Sequence, residues 1–400
     1  MKVLIAGGGI GGLTTALCAL NFGHEVKVIE QAKQFGEVGA GLQVPPNAMK
    51  VFNALGIADK ITENSFAPDA IEARMGTTGR TVFTIPLADH AKRAWGAPYL
   101  HLHRADYIAA LRAALVERSA GSIILGAKVE SYGQSSDDVH LNLTDGRDVK
   151  GDVLIGADGV HSQIRNQMLG DTPARFTGNV AWRAVVPMEA LGSVAPRPTA
   201  CAWFGEGRHA VSYRLRGGRL ANFVGVVEQD DWRNESWQER GPKSELLADF
   251  KDWHPTITTM IEAADDTKLY RWALFDRSPL PKWTEGRVAL LGDAAHPMLP
   301  FLAQGAAMAV EDAWVVSECL KAANGNVAAG LMQYQMLRQD RTAKVQAASR
   351  DNMSTFHKRG RKAQLATYGP MWMAGQIAPK LVHNRMNWLY GYDVTQNLLS

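Results

Sequence analysis

The feature that most constrains the fold is the glycine-rich run at residues 7–12, which directly follows the apolar stretch Lys2–Ala6. Lys2–Ala6 has the continuous apolar character of a buried parallel strand. Gly7, Gly9 and Gly12 form a G-x-G-x-x-G pattern, whose first glycine permits a tight turn. Its second glycine lets a pyrophosphate approach the backbone, and its third lets the next helix pack closely on the strand. The free N–H groups and positive dipole end at that helix start then face the phosphates.

A second strand and an acid complete this unit. Glu25–Ile29 is the predicted strand, and Glu30 ends it eighteen residues after Gly12. A carboxylate there accepts hydrogen bonds from the hydroxyls of an adenosine ribose and repels a 2′-phosphate. The unit therefore predicts an adenine dinucleotide site and leaves NAD and FAD open.

Length, charge and cysteine content exclude several classes of protein. At 400 residues the chain is too long for one small core, so we expect more than one domain. A net charge of +3 gives no argument for nucleic acid, and no uninterrupted apolar run reaches membrane-spanning length. The three cysteines, Cys18, Cys201 and Cys319, are distant and odd in number, which disfavours a disulfide framework. Because the chain also opens directly with its first strand, we expect a cytoplasmic protein without a signal peptide.

The pattern along the chain changes twice. Short β-type runs between about residues 175 and 271 indicate an antiparallel sheet over a cavity, with a helical insertion at 244–264. A buried strand at 287–291 and a helix at 304–320 then return to the parallel-sheet pattern. The nucleotide fold is therefore predicted to be discontinuous, and the chain beyond about residue 326 is predicted to be mostly helical.

Two further motifs follow predicted strands. Gly-Ala-Asp-Gly at 156–159 is predicted as a turn that Asp158 orients, before a helix that Ser162 caps. Gly-Asp-Ala-Ala-His-Pro at 292–297 ends the later strand, where ligands of open α/β sheets bind. Asp293 there can accept hydrogen bonds from a sugar-alcohol hydroxyl, whereas His296 taken alone is more typical of a structural histidine. The start of the following helix can stabilise negative charge on a flavin ring.

In order and spacing, these three motifs together resemble the FAD-dependent aromatic hydroxylases, the single-component flavoprotein monooxygenases. The resemblance covers nearly the whole chain, to the Tyr-Gly-Tyr-Asp tail at 390–393. It implies an α/β fold: a discontinuous Rossmann-type FAD-binding domain (1–172 and 276–325), an antiparallel-sheet substrate domain of α+β type (173–275) and a helical C-terminal region (326–400).

The resemblance also implies the chemistry. NADH or NADPH, without a fold of its own, transiently reduces the flavin. The reduced flavin adds O2 at C4a, and the hydroperoxide inserts one oxygen into an electron-rich ring without a metal. The protein then supplies orientation and water exclusion.

Carried over residue by residue, the resemblance predicts a set of cofactor contacts. They run from the adenosine end, at Glu30, Gln31 and Val129, to the flavin ring beside Gln43 and Ala306. The full predicted set is Gly7, Gly9, Gly11, Gly12, Glu30, Gln31, Gln43, Arg104, Val129, Asp158, Asp293, Pro297, Gly305 and Ala306. The segment Gly41-Leu42-Gln43 is similar to the family's loop beside the flavin, and Gly39-Ala40-Gly41 before it also fits the family pattern.

Within the family the chain is most similar to the 6-hydroxynicotinate, salicylate and 3-hydroxybenzoate hydroxylases. His209 and Tyr213 lie on a predicted strand, where alternation points both the same way. We therefore expect them to contact one substrate, with His209 as the base that removes a ring hydroxyl proton and Tyr213 orienting the hydroxyl. The alternative is that both simply fill the sheet face. Arg183, Arg214 and Arg216 are candidate partners of a substrate carboxylate, with surface exposure expected for at least two of them.

Other functions stay open on the sequence. The enzyme alternatives are a hydroxylase of a larger ring, such as a quinone precursor or polyketide, and a flavin reductase or dehydrogenase without oxygen insertion. Aromatic bulk at Trp182, Trp203 and Phe204 weakly disfavours the larger ring. A non-catalytic FAD-binding protein is the most remote alternative. Expected partners are a small aromatic acid, NADH or NADPH, and O2, with no nucleic acid and no membrane, and a homodimer is an open expectation.

Overall fold

The computed structural model describes residues 1–36, 41–170, 173–229 and 239–396, and within these ranges the chain forms four sheets and a set of helices. Gly39 and Ala40, part of the motif that fits the family pattern, lie outside these described residues. The described strands are β1 (Lys2–Ala6), β2 (Glu25–Ile29), β3 (Gly41–Val44), β4 (Ala70–Met75), β5 (Thr81–Pro86), β6 (Leu100–His103), β7 (Ile123–Ile124), β8 (Val129–Gln134), β9 (Val139–Leu143), β10 (Asp148–Gly151), β11 (Val153–Gly156), β12 (Arg175–Pro187), β13 (Ala200–Gly205), β14 (Arg208–Leu215), β15 (Leu220–Glu228), β16 (Glu239–Arg240), β17 (Tyr270–Asp276), β18 (Thr284–Glu285) and β19 (Val288–Leu290).

The helices cover the sheets and form most of the C-terminal region. The described α-helices are α1 (Ile10–Asn21), α2 (Pro46–Ala54), α3 (Ala58–Thr62), α4 (Ala88–Trp95), α5 (Arg104–Arg118), α6 (Gln163–Leu169), α7 (Lys243–Phe250), α8 (Pro255–Glu262), α9 (Gly305–Ala322), α10 (Val327–Phe356), α11 (Arg361–Ile377), α12 (Pro379–Asn384) and α13 (Asn387–Tyr390). Within the described ranges, none is long and apolar enough to cross a membrane.

The nucleotide-type sheet has the order β18-β19-β11-β1-β2-β7. β1 lies in its interior and pairs in parallel with β11 and β2. Val3 to Ala6 are fully buried, as expected for a strand covered on both faces. β19 pairs in parallel with β11, so Val288 lies beside Leu154. The predicted return of the chain to this sheet after the middle segment is therefore confirmed.

The middle sheet has the order β16-β17-β12-β15-β14-β13-β4-β5. The strands predicted for this sheet pair antiparallel with one another, as expected. The sequence did not predict that β4 would join this sheet, where it pairs in parallel with β13. β4 and β5 belong to this sheet although they lie inside the segment 1–172 predicted as FAD-binding. The domain boundaries stay a prediction, but strand pairing extends the middle sheet to residues 70–86.

The helical stretch predicted at 244–264 is two helices, α7 and α8. Pro255 causes the break, because a residue before proline is driven out of the helical region. His254 has φ −54° and ψ 140°, and its ring accepts a hydrogen bond from the Thr256 N–H as the cap of α8.

A buried ion network joins α9 to α10. Arg338 forms ion pairs with Glu311 and Asp312, each at 2.7 Å. His296 Nε2 lies 2.5 Å from Asp312 Oδ2, and all four residues are at most 2% exposed. His296 is therefore part of the structural frame, and the C-terminal region is held to the FAD-binding part through buried charges.

Candidate active site

One cavity of about 1030 Å³ extends from the glycine turn after β1 to the face of the middle sheet. It brings together nearly all of the predicted cofactor residues and both predicted catalytic residues. Those in its wall are Gly7, Gly9, Gly11, Glu30, Gln31, Gln43, Arg104, Val129, Asp158, His209, Tyr213, Asp293, Gly305 and Ala306. Gly12 and Pro297 do not line the cavity, so the structure gives no support for a direct cofactor contact at either.

The three glycines of the first turn have different surroundings. Gly7 has a φ of +106°, and a Cβ there would lie 2.4 Å from the Ala157 carbonyl oxygen. A Cβ on Gly12 would lie 2.0 Å from the Gly7 carbonyl oxygen, so Gly12 serves helix packing, as predicted. A Cβ on Gly9 would meet nothing within 4 Å, which leaves its backbone open to the cavity.

Glu30 is held by two backbone donors. Its Oε2 accepts a hydrogen bond from the Gly8 N–H at 2.7 Å, and its Oε1 accepts one from the Ala32 N–H at 2.8 Å. These bonds fix the carboxylate at the end of β2 and leave further lone pairs for hydroxyl donors. The geometry suits the ribose contact predicted for Glu30.

Two helices begin at the cavity wall without side-chain caps. α1 follows Gly9, and α9 begins at Gly305 and Ala306; neither has an acidic residue in its first turn. Their first N–H groups therefore lack helical partners and favour negative charge. Arg104, whose side chain is exposed at the wall, adds a cation. This donor set fits a pyrophosphate at one end and an anionic ring at the other.

Two carboxyl groups in the cavity wall offer further hydrogen-bonding capacity. Asp158 Oδ2 accepts from the N–H groups of Gln163 and Ile164, whereas its buried Oδ1 has no partner among the described residues. Burial raises the pKa of Asp158 above its ordinary value. Burial also raises the pKa of Asp293, although His296 and Arg104 oppose this shift. With the helix starts and Arg104, these groups fit a cofactor that carries phosphates and ribityl hydroxyls.

The middle sheet contributes His209 and Tyr213 from β14. Both are buried, on the same strand face, and four residues apart, roughly 13 Å along the strand. His209 Nδ1 lies 2.6 Å from His357 Nε2. Burial, and then the neighbouring His357, hold the pKa of His209 well below its usual range, so the ring is neutral at pH 7. Burial raises the pKa of Tyr213, although Arg183 lowers it, so its hydroxyl stays protonated.

The three candidate arginines have separate positions. Arg183 lines the cavity, lies over the Trp272 ring at 4.4 Å, and has a buried Nε without a hydrogen-bond partner among the described residues. Burial lowers its pKa to about 10, so it stays cationic at neutral pH. Arg214 donates to the Pro196 carbonyl, and Arg216 forms a bidentate pair with Asp106. Arg183 is therefore the one of the three that can meet a substrate carboxylate.

Several lining residues escaped the sequence prediction. Tyr99 lines the cavity from the turn before β6, and its hydroxyl bonds to Gln43 Oε1. An apolar wall surrounds the substrate half. It includes Phe204, which the sequence had indicated together with Trp182 and Trp203, although those two tryptophans do not line the cavity. The wall members that the sequence did not indicate are Phe301, Phe356, Met371, Met386 and Tyr390. The C-terminal members had no local signal beyond the Tyr-Gly-Tyr-Asp tail, because tertiary packing alone brings them to the cavity.

A cluster of metal-ligating side chains is absent from the part of the chain that the structure describes. There, no three His, Cys, Asp or Glu side chains are grouped so that they could hold an ion. Cys18, Cys201 and Cys319 are free and buried.

Comparisons with known proteins agree with this geometry. The family described as FAD binding domain matches residues 1–349. The 6-hydroxynicotinate 3-monooxygenase of Pseudomonas fluorescens is 36% identical over 399 residues, which cover 98% of this chain and 95% of that protein. The 3-hydroxybenzoate 6-hydroxylase 1 of Aquipseudomonas alcaligenes is also 36% identical over 399 residues, covering 99% and 98%.

Solved structures show the same architecture. Klebsiella pneumoniae HpxO, complexed with FAD and uric acid, superposes with a TM-score of 0.85 at 27% identity, over 96% of this chain and 95% of that one. A salicylate hydroxylase substrate complex superposes with a TM-score of 0.81 at 27% identity, over 99% and 96%. The chain thus belongs to the FAD-binding domain family and is an FAD-dependent monooxygenase of the aromatic hydroxylase type.

Proposed function

We propose that this enzyme hydroxylates a small hydroxyaromatic or hydroxy-N-heteroaromatic acid, with NADH or NADPH as reductant and O2 as oxidant. The proposal rests on one observation: His209, Tyr213 and Arg183 line the same cavity as the residues predicted to bind the cofactor. The two relatives named above act on rings that bear a hydroxyl and a carboxylate. A neutral histidine, a protonated phenol and a guanidinium offer complementary groups for such a ring.

Each of the three side chains has a distinct proposed role. His209 accepts the proton of the ring hydroxyl, which makes the ring carbon more nucleophilic. Tyr213, farther along the same strand face, orients the substrate by a hydrogen bond. Arg183 holds the carboxylate, and its cavity position beside Trp272 fixes which ring edge faces the cofactor.

The cofactor supplies the oxidative chemistry. When bound and reduced, FAD provides the O2 activation that no side chain can provide. Glu30 and Asp293 would hold its hydroxyl groups, Arg104 and the start of α1 its phosphates, and the start of α9 its ring. The aromatic wall that includes Phe204, Phe301 and Phe356 excludes water from the reacting ring.

The particular ring acid is a narrower question. The resemblance to these hydroxylases implies two departures: Gln43 in place of a histidine of the 6-hydroxynicotinate hydroxylases, and Pro300 in place of a glutamine of some 3-hydroxybenzoate hydroxylases. Both residues line the cavity. We therefore propose the class of substrate and not either named compound. The homodimer also stays a prediction, which light scattering of the holoenzyme tests.

A panel of phenolic and pyridine acids tests the function. The true substrate should accelerate NADH or NADPH oxidation, consume one O2 per product and release little peroxide. A hydroxylated product with defined regiochemistry supports the proposal. Turnover that is equally fast without O2 would instead favour a reductase or dehydrogenase, and preference for a fused-ring substrate would favour the larger-ring alternative.

A further inference from the structure

A line of hydrogen bonds leads from the cavity to the protein surface. His209 Nδ1 lies 2.6 Å from His357 Nε2, and His357 Nδ1 lies 3.0 Å from Glu228 Oε1. Arg359 pairs with the other oxygen of Glu228. His209 is 1% exposed, whereas the Glu228 side chain is 34% exposed. The line therefore joins a buried cavity residue to water through the end of α10.

The carboxylate at the outer end determines which ring nitrogens carry a hydrogen along this line. An ionised carboxylate can only accept, so His357 must donate from Nδ1. A neutral His357 then accepts at Nε2, and His209 must donate from its own Nδ1. This leaves the lone pair of His209 on Nε2, the ring nitrogen not engaged with His357, as a base toward the cavity. The outer residues thus select the tautomer that a base needs.

We propose that His357 and Glu228 are positioning residues that fix the tautomer of His209 and carry its proton to the surface. The proposal rests on the proposed function, because His209 acts there as the base. His357 reaches His209 from a segment 148 residues away in the chain. The rings of Phe301 and Phe356 lie 5.1 and 5.2 Å from that of His209, which shields this inner link from water.

The proton transfers balance along the line. The substrate O–H bond breaks as an N–H bond forms at His209 Nε2. The Nδ1 proton of His209 passes to His357 Nε2, and the Nδ1 proton of His357 passes to Glu228, which releases it to water. When the oxygenated ring regains aromaticity by losing its C–H proton to solvent, its carbonyl oxygen takes the proton from His209 Nε2. The line then runs in reverse, with Glu228 drawing a proton from water.

The surrounding charges suit this direction. Burial raises the pKa of Glu228, but Arg359 and His357 lower it further, so the net value lies below the ordinary one and Glu228 is ionised at pH 7. Burial lowers the pKa of His357, although Glu228 opposes this shift, so the ring is neutral before turnover. Other charged groups of the same surface are Glu206, which accepts from the Gly360 N–H, and Arg208, which donates to the Asp249 carbonyl.

The experiment has one arm that needs no substrate. Nitrogen-15 NMR of histidine-labelled holoenzyme at pH 7 should show His209 and His357 neutral and protonated on Nδ1, with His357→Phe and His209→Gln assigning the signals. A His357 that carries its proton on Nε2, or that is doubly protonated, would overturn the proposal whatever the enzyme's substrate.

The second arm compares His357→Phe and Glu228→Gln with the matched control Glu206→Gln, which removes a neighbouring carboxylate that contacts neither histidine. Both test variants should keep bound FAD and NADH oxidation but lose product formation about 10²-fold at pH 7. Their product formation should recover as the pH approaches the pKa of the substrate hydroxyl, while Glu206→Gln stays at wild-type level. Equal effects of all three changes, or a loss that does not recover at high pH, would indicate a merely structural role.

The two arms of the experiment distinguish failure of the proposed function from failure of the proton relay. A wild-type enzyme that hydroxylates no ring acid contradicts the proposed function, and the NMR arm then judges the tautomers alone. Normal hydroxylation in His357→Phe contradicts the relay and leaves the proposed function standing.

Discussion

At the scale of single residues, we expect Arg183 to decide how the substrate half of the cavity treats a carboxylate. A lost hydrogen bond to a charged group costs about 1.5–3 kcal/mol. Arg183→Met should therefore raise KM for a hydroxylated ring acid by about 10- to 100-fold, while a neutral phenol of the same shape is affected far less. Steady-state kinetics on the matched pair checks this.

Arg216→Met is the control for Arg183→Met, because Arg216 pairs with Asp106 outside the cavity wall. If the acid and the neutral phenol lost affinity equally in Arg183→Met, the carboxylate contact would be excluded.

The glycine turn offers a second residue-scale prediction. Gly9→Ala adds a methyl group in open space beside the phosphate position, so the fold should persist while FAD affinity drops about tenfold, about 1.4 kcal/mol. Gly12→Ala puts its Cβ against the Gly7 carbonyl and should destabilise the fold by about 1–3 kcal/mol. Flavin titration and denaturant unfolding of the apoprotein separate the two effects. Normal stability in Gly12→Ala would contradict the packing role.

At the residue level, the sequence pointed to residues of the cavity wall where the signal was local. Glu30 accepts hydrogen bonds from the N–H groups of Ala32 and of the glycine turn, and Asp158 accepts one from the nearby Gln163 N–H. Both residues belong to motifs that are recognisable in the sequence. His357 and Tyr99 contact His209 and Gln43 only after folding, across long stretches of chain. No periodicity marks such partners, so the sequence could not reveal them.

At the scale of elements, strand positions followed from local patterns while pairing partners did not. β1 and β2 have the predicted bounds, because apolar runs and turn residues define them. The pairing of β4 with β13 depends on a contact between distant segments and was missed. Pro255 could have indicated the break between α7 and α8 from the sequence, but the helical periodicity on both sides of it favoured one continuous helix.

The buried network between α9 and α10 carries an element-scale prediction. Removing one partner of a buried ion pair leaves an uncompensated charge, so Arg338→Met should destabilise the fold by about 3–5 kcal/mol at pH 7. Denaturant unfolding measures this cost. Arg147→Met, at an exposed pair with Asp145, is the control and should leave stability near the wild-type value.

The same network predicts how stability depends on pH. Burial raises the pKa values of Glu311 and Asp312, but Arg338 and their other partners lower them further, so both lie below their ordinary values. Groups with depressed folded-state pKa values stabilise fully above the unfolded pKa, about 4, and lose this contribution as the pH falls. The stability gap between wild type and Arg338→Met should therefore narrow below about pH 4. A gap that stays constant down to pH 3 would contradict this assignment.

At the scale of the whole molecule, the C-terminal segment lines one side of the cavity and is held by Lys50 and by Arg341, which donates to the carbonyls of Trp388 and Leu389. Lys50 Nζ donates to the carbonyls of Gly391 and Tyr392 at 2.8 and 3.1 Å. Met386 and Tyr390 from this segment line the cavity. Lys50→Met should loosen the closure and admit water, so peroxide release per NADH should rise several-fold while FAD stays bound. Lys60→Met, at an exposed pair with Glu117, is the control. Unchanged coupling in Lys50→Met would show that this tie does not govern closure.

Separate stretches of chain build the wall around the substrate, among them β4 and β5, the middle strands, the segment 298–303 before α9, and the C-terminal helices. The dinucleotide half draws on other segments, at β1, β2 and the start of α9. Evolution can therefore alter the C-terminal stretch and change which rings are accepted, without disturbing the parts that retain the prosthetic group. In chimeras that exchange residues 327–396 between relatives, ring preference should follow the exchanged segment. Flavin affinity should follow the protein that receives the segment. Substrate preference can therefore diversify at the boundary between α9 and α10 independently of flavin binding.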